Sequence, residues 1–246
     1  MAIVEFGASE RRESHERTVS LYVDGSVFAT LQASPYDLRE LAVGALFVGG
    51  AIDGVDDILE IRCSVDACSV NVRLREGIEG TSSSGEIASR GSSGGVLPLR
   101  GASPVDPGEA RFDPDELLSQ MEQLCTEAPH RRAGECVHGC GVGAAGSPDL
   151  LFLCEDIGRH NAMDKAIGRA LLGGVSLRDK ALFITGRISA EMALKACSAG
   201  CPLLVSRKSA TDDAIERAGR LGITLVSHCR DGRLRVLTHA SRIDAG

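Results

Sequence analysis

Cationic side chains gather at four places in the second half of this 246-residue chain. Each follows a short apolar run: Glu155-Asp156-Ile157-Gly158-Arg159-His160-Asn161, Thr185-Gly186-Arg187-Ile188-Ser189, Ser206-Arg207-Lys208-Ser209-Ala210-Thr211, and His228-Cys229-Arg230-Asp231-Gly232-Arg233. Guanidinium forks match phosphate oxygens in shape as well as charge. Three of these segments lead into predicted helices, whose free N–H groups each favour an anion by about 0.3–1 kcal/mol near the surface. The pattern predicts a site for a polyanion such as a nucleotide or a phosphorylated cofactor; charges solvated on ordinary loops are the plainer alternative. Neither a standard P-loop nor dinucleotide binding is expected.

Other groups carry weaker signals. Asp156 and His160 are close enough in sequence for the carboxylate to orient the imidazole for acid–base work, although a helix-start histidine is more often structural. Cys136-Val137-His138-Gly139-Cys140-Gly141 places two thiols around an imidazole, a pattern open to a metal half-site or a reactive thiol pair, with no fourth ligand evident. Cys197 and Cys201 are four apart on an Ala-rich predicted helix and read as buried thiols. Cys63 and Cys68 are an odd number apart and would face opposite sides of a strand.

The elements that must position these groups alternate. Apolar runs at 150–154, 181–185, 202–206 and 223–227 are separated by helical patterns at 162–172, 190–199 and 212–221, with Gly173, Gly200 and Gly222 as stops. A last run, 234–238, closes a hairpin over Arg230–Arg233. This predicts a largely parallel α/β sheet with an antiparallel edge strand, and ligands beyond the carboxyl ends of its strands. A further helix is expected at 114–125, with Leu117, Leu118, Met121 and Leu124 on one face. Before it, an Asp24-Gly25 hairpin joins 18–22 to 27–31. Ser34-Pro35 opens a helix that Gly49-Gly50 ends, and strands follow at 58–61 and 70–74. Ten of the fifteen residues 81–95 are Ser or Gly, which predicts a mobile loop. Pro98, Pro104, Pro107 and Pro114 mark a boundary near 112, giving an α+β domain at 1–112 and an α/β domain at 113–246.

Composition excludes several classes. With 3% aromatics and no Trp, the chain lacks base-stacking platforms, and a net charge of −7 gives no general attraction to phosphate backbones or anionic lipid. No nucleic-acid partner is expected. No apolar run approaches the ~20 residues of a membrane span. The amino terminus turns polar after six residues, so a cytoplasmic protein is expected. Nine cysteines in a chain of this size fit reduced thiols better than a disulfide framework.

The segment Glu155-Asp156-Ile157-Gly158-Arg159-His160-Asn161-Ala162-Met163-Asp164-Lys165 resembles the hallmark of the FdhD-type formate dehydrogenase accessory sulfurtransferases. So does Thr185-Gly186-Arg187-Ile188-Ser189-Ala190-Glu191-Met192 with Lys195-Ala196. Leu203-Leu204-Val205-Ser206-Arg207, Ala210-Thr211-Asp212, Thr238-His239 and, near the start, Leu41-Ala42-Val43-Gly44 with Gly50-Ala51-Ile52 match as well. The resemblance implies a C-terminal three-layer α/β/α domain similar to the cytidine-deaminase fold, beside a smaller N-terminal α+β domain, in a homodimer. It implies transfer of sulfur, as a persulfide, from a cysteine desulfurase to the bis-molybdopterin guanine dinucleotide cofactor before insertion into formate dehydrogenase, with guanine nucleotide as a surrogate ligand. Arg159, His160, Thr185, Arg187, Ser189, Ser206, Arg207, Thr211 and the segment His228, Cys229, Arg230, Asp231, Gly232 and Arg233 would bind the cofactor. Deaminase chemistry is not implied, because the zinc motifs are missing.

One departure bears on activity. The family carries sulfur on a cysteine in a Gly-rich loop between its domains, whereas this chain has Arg90-Gly91-Ser92-Ser93-Gly94-Gly95. A hydroxyl at Ser92 or Ser93 cannot hold a persulfide. Sulfur then moves to another thiol, with Cys136 or Cys140 beside His138 the candidates; or the protein binds the cofactor without sulfur transfer; or Ser92 or Ser93 is an engineered replacement.

Overall fold

The computed structural model describes residues 15–78, 88–90, 96–100, 103–106 and 109–244. Strands β1 (Arg17–Val23) and β2 (Ser26–Ala33) form the expected hairpin, since Asp24 and Gly25 both hold positive φ, 47° and 81°, as this tight turn requires. Helix α1 (Leu38–Val48) follows, then β3 (Ile58–Ser64) and β4 (Ser69–Leu74), completing a sheet of order β2-β1-β4-β3. Ser34-Pro35 does not open α1. Ser34 is held elsewhere: its N–H donates to Asp156 Oδ2 at 3.0 Å and its Oγ accepts from Ile157 N at 3.0 Å, so α1 begins at Leu38 after Asp37.

Within the Ser/Gly stretch, β5 (Ala88–Arg90) pairs antiparallel with β6 (Val96–Pro98), so this part is not loop. Ser92 and Ser93 lie outside the described residues. Asp113 caps α2 (Pro114–Thr126), its carboxylate accepting from Asp115 and Glu116 N–H groups. The short α3 (Pro129–Arg132) precedes β7 (His138–Ala144), β8 (Leu150–Asp156), α4 (Arg159–Leu172), β9 (Lys180–Ile184), α5 (Ala190–Ser198), β10 (Leu203–Ser206), α6 (Asp212–Arg220), β11 (Thr224–Arg230) and β12 (Arg233–Val236). The second sheet runs β12-β11-β10-β9-β7-β8.

This sheet is mixed rather than largely parallel. β9, β10 and β11 pair in parallel, but β7 lies between β9 and β8 and is antiparallel to both. The sequence disguises β7 because alternate positions are glycine. A Cβ at Gly139 would lie 3.0 Å from Leu124, at Gly141 2.9 Å from Leu150, and at Gly143 2.4 Å from Gln120. The space is filled by α2 and β8, while Cys140 and Val142 point to the opposite core. Gly141-Val142-Gly143-Ala144-Ala145-Gly146 has the spacing of a dinucleotide fingerprint, but its glycines open no helix. One sheet face, with Phe183, Val205 and Val226, packs on α2; the other, with Ile184, Leu204 and Leu225, packs on residues of α4, α5 and α6. Cys201 lies beyond the end of α5, not on it, though both it and Cys197 are buried as expected.

Helix α1 has apolar residues all round because it is covered twice, by its own sheet and by α4. The α1–α4 contact admits no side chain at its centre. A Cβ at Gly44 would stand 1.9 Å from the Asp164 carbonyl oxygen, and one at Gly168 1.9 Å from that of Glu40. Gly44→Ala or Gly168→Ala should therefore destabilise the fold by about 3 kcal/mol or more in denaturant titration. Gly54→Ala, with nothing within 4 Å, should cost much less. Equal losses would show that the crossing is not where stability is concentrated.

Candidate functional site

Because β7 alone is reversed among β7–β11, the carboxyl ends of β8, β9, β10 and β11 share one edge with the start of β7. The four predicted segments thus come together there, and His138 joins them. The edge is built on buried charge. Asp156 accepts from Lys165 Nζ at 2.7 Å, Ser34 N at 3.0 Å, Gly158 N at 2.8 Å and Asn161 Nδ2 at 3.1 Å. Lys165 also donates to the Glu155 carbonyl oxygen at 3.1 Å and lies over the Tyr36 ring, 4.2 Å from its centroid. Tyr36 in turn stacks on His130, centroids 3.8 Å apart. The Glu155 carboxylate takes the N–H groups of His130 and Arg131, at 2.8 and 2.9 Å, and so fixes α3 against β8.

The expected Asp156–His160 partnership does not form, because Asp156 is engaged with Lys165 and backbone N–H groups. His160 Nδ1 instead lies 3.0 Å from Glu191 of α5. A second buried pair, Lys195 with Asp164 at 2.6 Å, ties α5 to α4; burial pushes the Asp164 carboxyl up while Lys195 pulls it down.

The hydroxyls divide. Thr185 Oγ1 accepts from Gly139 N at 3.0 Å, and Ser206 Oγ donates to the Gly186 carbonyl oxygen at 2.6 Å while accepting from Lys208 N at 2.9 Å. Both side chains are buried and brace loops. Thr211 caps α6 through Ala214 N at 3.2 Å. Ser189, at the start of α5, has its Oγ shut away from solvent with no hydrogen-bond partner among the described residues, and Arg159 Nε is in the same condition. The loops are stitched together: Ile188 N donates to Ser209 O, Thr211 N to Ile188 O, and His228 N to Lys208 O. Asp231 and Gly232, with φ of 54° and 69°, form the β11–β12 turn, exposing Arg230 and Arg233. Cys229 does not face this edge; its thiol is buried towards α2, 3.5 Å from the Leu117 carbonyl oxygen, and burial pushes it up to about 12.

Among the described residues, the ion pairs at the edge are Lys165–Asp156 and the exposed Arg230–Asp231, with His160 Nδ1 beside Glu191, and none of these takes in Arg131, Arg159, Arg187 or Arg207. Burial, then Arg159 and Arg131, hold the His138 imidazole below its ordinary value of 6.5. Arg131, Tyr36 and His130 went unseen in the sequence because tertiary packing alone assembles them; Glu155 lay in the first predicted segment, but nothing local marked its hold on α3. Of the two thiols proposed to replace the loop cysteine, Cys140 is fully buried in β7 and its ionisation is pushed well up by burial, so it does not meet the requirement for an accessible thiolate. Cys136 is exposed. Among the described residues no group of three or more His, Cys, Asp or Glu is placed to hold a metal ion.

The model of the FdhD/NarQ family matches residues 14–244. The chain belongs to that family. The sulfur carrier protein FdhD of Wolinella succinogenes is 32% identical over 239 residues, covering 93% of this chain and 81% of that protein. The Bacillus subtilis protein of the same name is 29% identical over 245 residues, covering 97% and 93%. A crystal structure described as a formate dehydrogenase accessory protein from Desulfotalea psychrophila superposes with a TM-score of 0.76 at 28% identity, covering 93% of this chain and 90% of that one. The FdhD/NarQ match thus spans both sheets and the cationic edge, and no helix of the described residues is long and apolar enough to cross a membrane.

His138 makes a pH signature. Its folded form binds a proton less readily than the unfolded chain does, so its contribution is full above about pH 6.5 and is lost as pH falls through that value towards the lower folded pKa. Between about pH 7.5 and about pH 5.5, His138→Gln should lose less stability than the parent protein in urea titrations. An equal loss in both would show that His138 is not held neutral by its surroundings.

Proposed function

We propose that this FdhD/NarQ-family protein serves formate dehydrogenase maturation by carrying sulfur from a cysteine desulfurase to bis-molybdopterin guanine dinucleotide, which it binds at the cationic edge before the cofactor enters the enzyme. The observation that carries this reading is the set of guanidinium groups that have no carboxylate partner among the described residues at the carboxyl ends of β8–β10, a match for a phosphorylated cofactor. The cytidine-deaminase-like fold, the homodimer and a cytoplasmic location belong to the same proposal.

Sulfur is carried in this reading by Cys136. It is exposed, it leads into β7 two residues before His138, and it stands on the edge that binds the cofactor. A thiolate there attacks the terminal sulfur of a donor persulfide, forming a new S–S bond as the donor cysteine leaves as thiolate; no net electrons move. A second reading, binding without sulfur transfer, is favoured by the serines at 92 and 93 and by the burial of Cys140.

Incubation with an active cysteine desulfurase and cysteine, followed by digestion without reductant and mass spectrometry, separates the two. One added sulfur on the Cys136 peptide, lost in Cys136→Ser, is the expected result. Absence of persulfide on every cysteine, with guanosine diphosphate still bound, would leave the binding role alone standing.

A further inference from the structure

We propose that His130 and Glu135 form an acid–base pair for the Cys136 thiol: His130 Nε2 takes the thiol proton and returns it to the departing donor, while Glu135 positions the imidazole. This deepens the reading of Cys136 as sulfur carrier and rests on it.

The pair is made by the way α3 ends. Gly134 holds a φ of 90°, its N–H donates to the Arg131 carbonyl oxygen at 3.0 Å, and the Glu135 N–H donates to that of His130 at 3.1 Å. These are the two closing bonds of a Schellman turn, which sets the residue after the glycine against the helix residue five earlier. Apolar side chains commonly make that contact. Here it is made by His130 Nδ1 and Glu135 Oε1, 3.1 Å apart. A carboxylate only accepts, so Nδ1 carries the hydrogen and Nε2 keeps a lone pair. The same carboxylate offsets the charge that the ring gains when Nε2 takes a proton.

Packing fixes the ring further. Its face stacks on Tyr36, with centroids 3.8 Å apart and planes 3° from parallel. Glu155 of β8 grips the backbone N–H groups of His130 and Arg131. The charged groups about the imidazole are thus Glu135 and Arg131 from its own segment, Glu155 from β8, and Lys165 of α4 over the Tyr36 ring. The Glu135 side chain is only 9% exposed and that of His130 34%, so the carboxylate is sheltered while the imidazole can be reached. This is the arrangement expected of Asp156 and His160, where Lys165 takes the carboxylate instead.

Cys136 follows Glu135 directly and is exposed. The other imidazole near it in the chain, His138, is the poorer acceptor, because burial, Arg159 and Arg131 disfavour its charged form. In the transfer, the Cys136 S–H proton passes to His130 Nε2, and the thiolate attacks the terminal sulfur of the donor persulfide. The donor's S–S bond breaks as the new one forms, and the departing thiolate regains the proton from His130. No oxidant or reductant is needed.

The test is the pH dependence of Cys136 chemistry in the full-length protein. Mass spectrometry of the Cys136 peptide follows two rates between pH 7 and pH 9: persulfide loading from an active cysteine desulfurase, and alkylation by iodoacetamide. Relative to the parent protein, His130→Gln should slow both at least about tenfold at pH 7, and the deficit should shrink towards pH 9, where a free thiol ionises unaided. Glu135→Gln, which keeps the shape and removes the charge, should show the same trend with a smaller loss. It supplies the readout should His130→Gln unfold. A loss that is equal at both pH values, as a purely structural role would give, or unchanged rates in both variants, would overturn the pair. Alkylation that depends on His130 in a protein that takes up no persulfide would uphold the pair as proton acceptor for Cys136 and remove the carrier reading alone.

Discussion

Everything at the cationic edge depends on how closely α1 and α4 approach. Gly44 and Gly168 let the backbones meet where no β-carbon fits, and this contact carries the first sheet onto the second. It brings the segment between β2 and α1 against the end of β8, where Ser34 meets Asp156 and Ile157, and Tyr36 covers Lys165. A wider crossing would leave Lys165 and Asp156 without the surroundings that make their burial tolerable.

Burying an ion pair is weak evidence for stability, since desolvation offsets most of the attraction. What the Lys165–Asp156 and Lys195–Asp164 pairs supply is definite geometry. Each partner has additional donors or acceptors at hydrogen-bond distance or joins two helices, so alternative packings would strand a charge. The side chains of the candidate site stand on this base: α3 is held by Glu155, α4 by Asp156, and α5 by Asp164 and His160. Among the described residues Arg131, Arg159, Arg187 and Arg207 have no carboxylate partner, an arrangement that keeps local positive potential on a protein of net charge −7.

The thiols are governed by the same packing. Cys140, Cys154, Cys197, Cys201 and Cys229 lie in the two cores, where burial raises the cost of a thiolate and makes them side chains of small apolar character. Tertiary structure therefore leaves far fewer accessible thiols than the count of nine cysteines implies.

The sequence by itself determined the elements whose signals are local. The Asp24-Gly25 turn, the glycine-stopped helices and, to within a residue at each end, the apolar strands expected at 181–185 and 202–206 are present because short-range sterics and periodicity decide them. It also placed Arg159, Arg187, Arg207 and Arg230 on one edge, since strands of one direction must end together. Long, specific motifs around Asp156–Lys165 and Thr185–Met192 carried the family assignment. Tertiary structure decided the rest. It put β7 into the sheet, because glycine reads as a loop former until α2 and β8 occupy the missing side-chain volume. It gave His160 to Glu191 rather than Asp156, buried Cys140, moved the start of α1 past Ser34, and delivered Arg131 from a four-residue helix. These outcomes share a cause: hydrogen bonds and packing volumes are settled between residues far apart in the chain, and no local pattern records which partner wins.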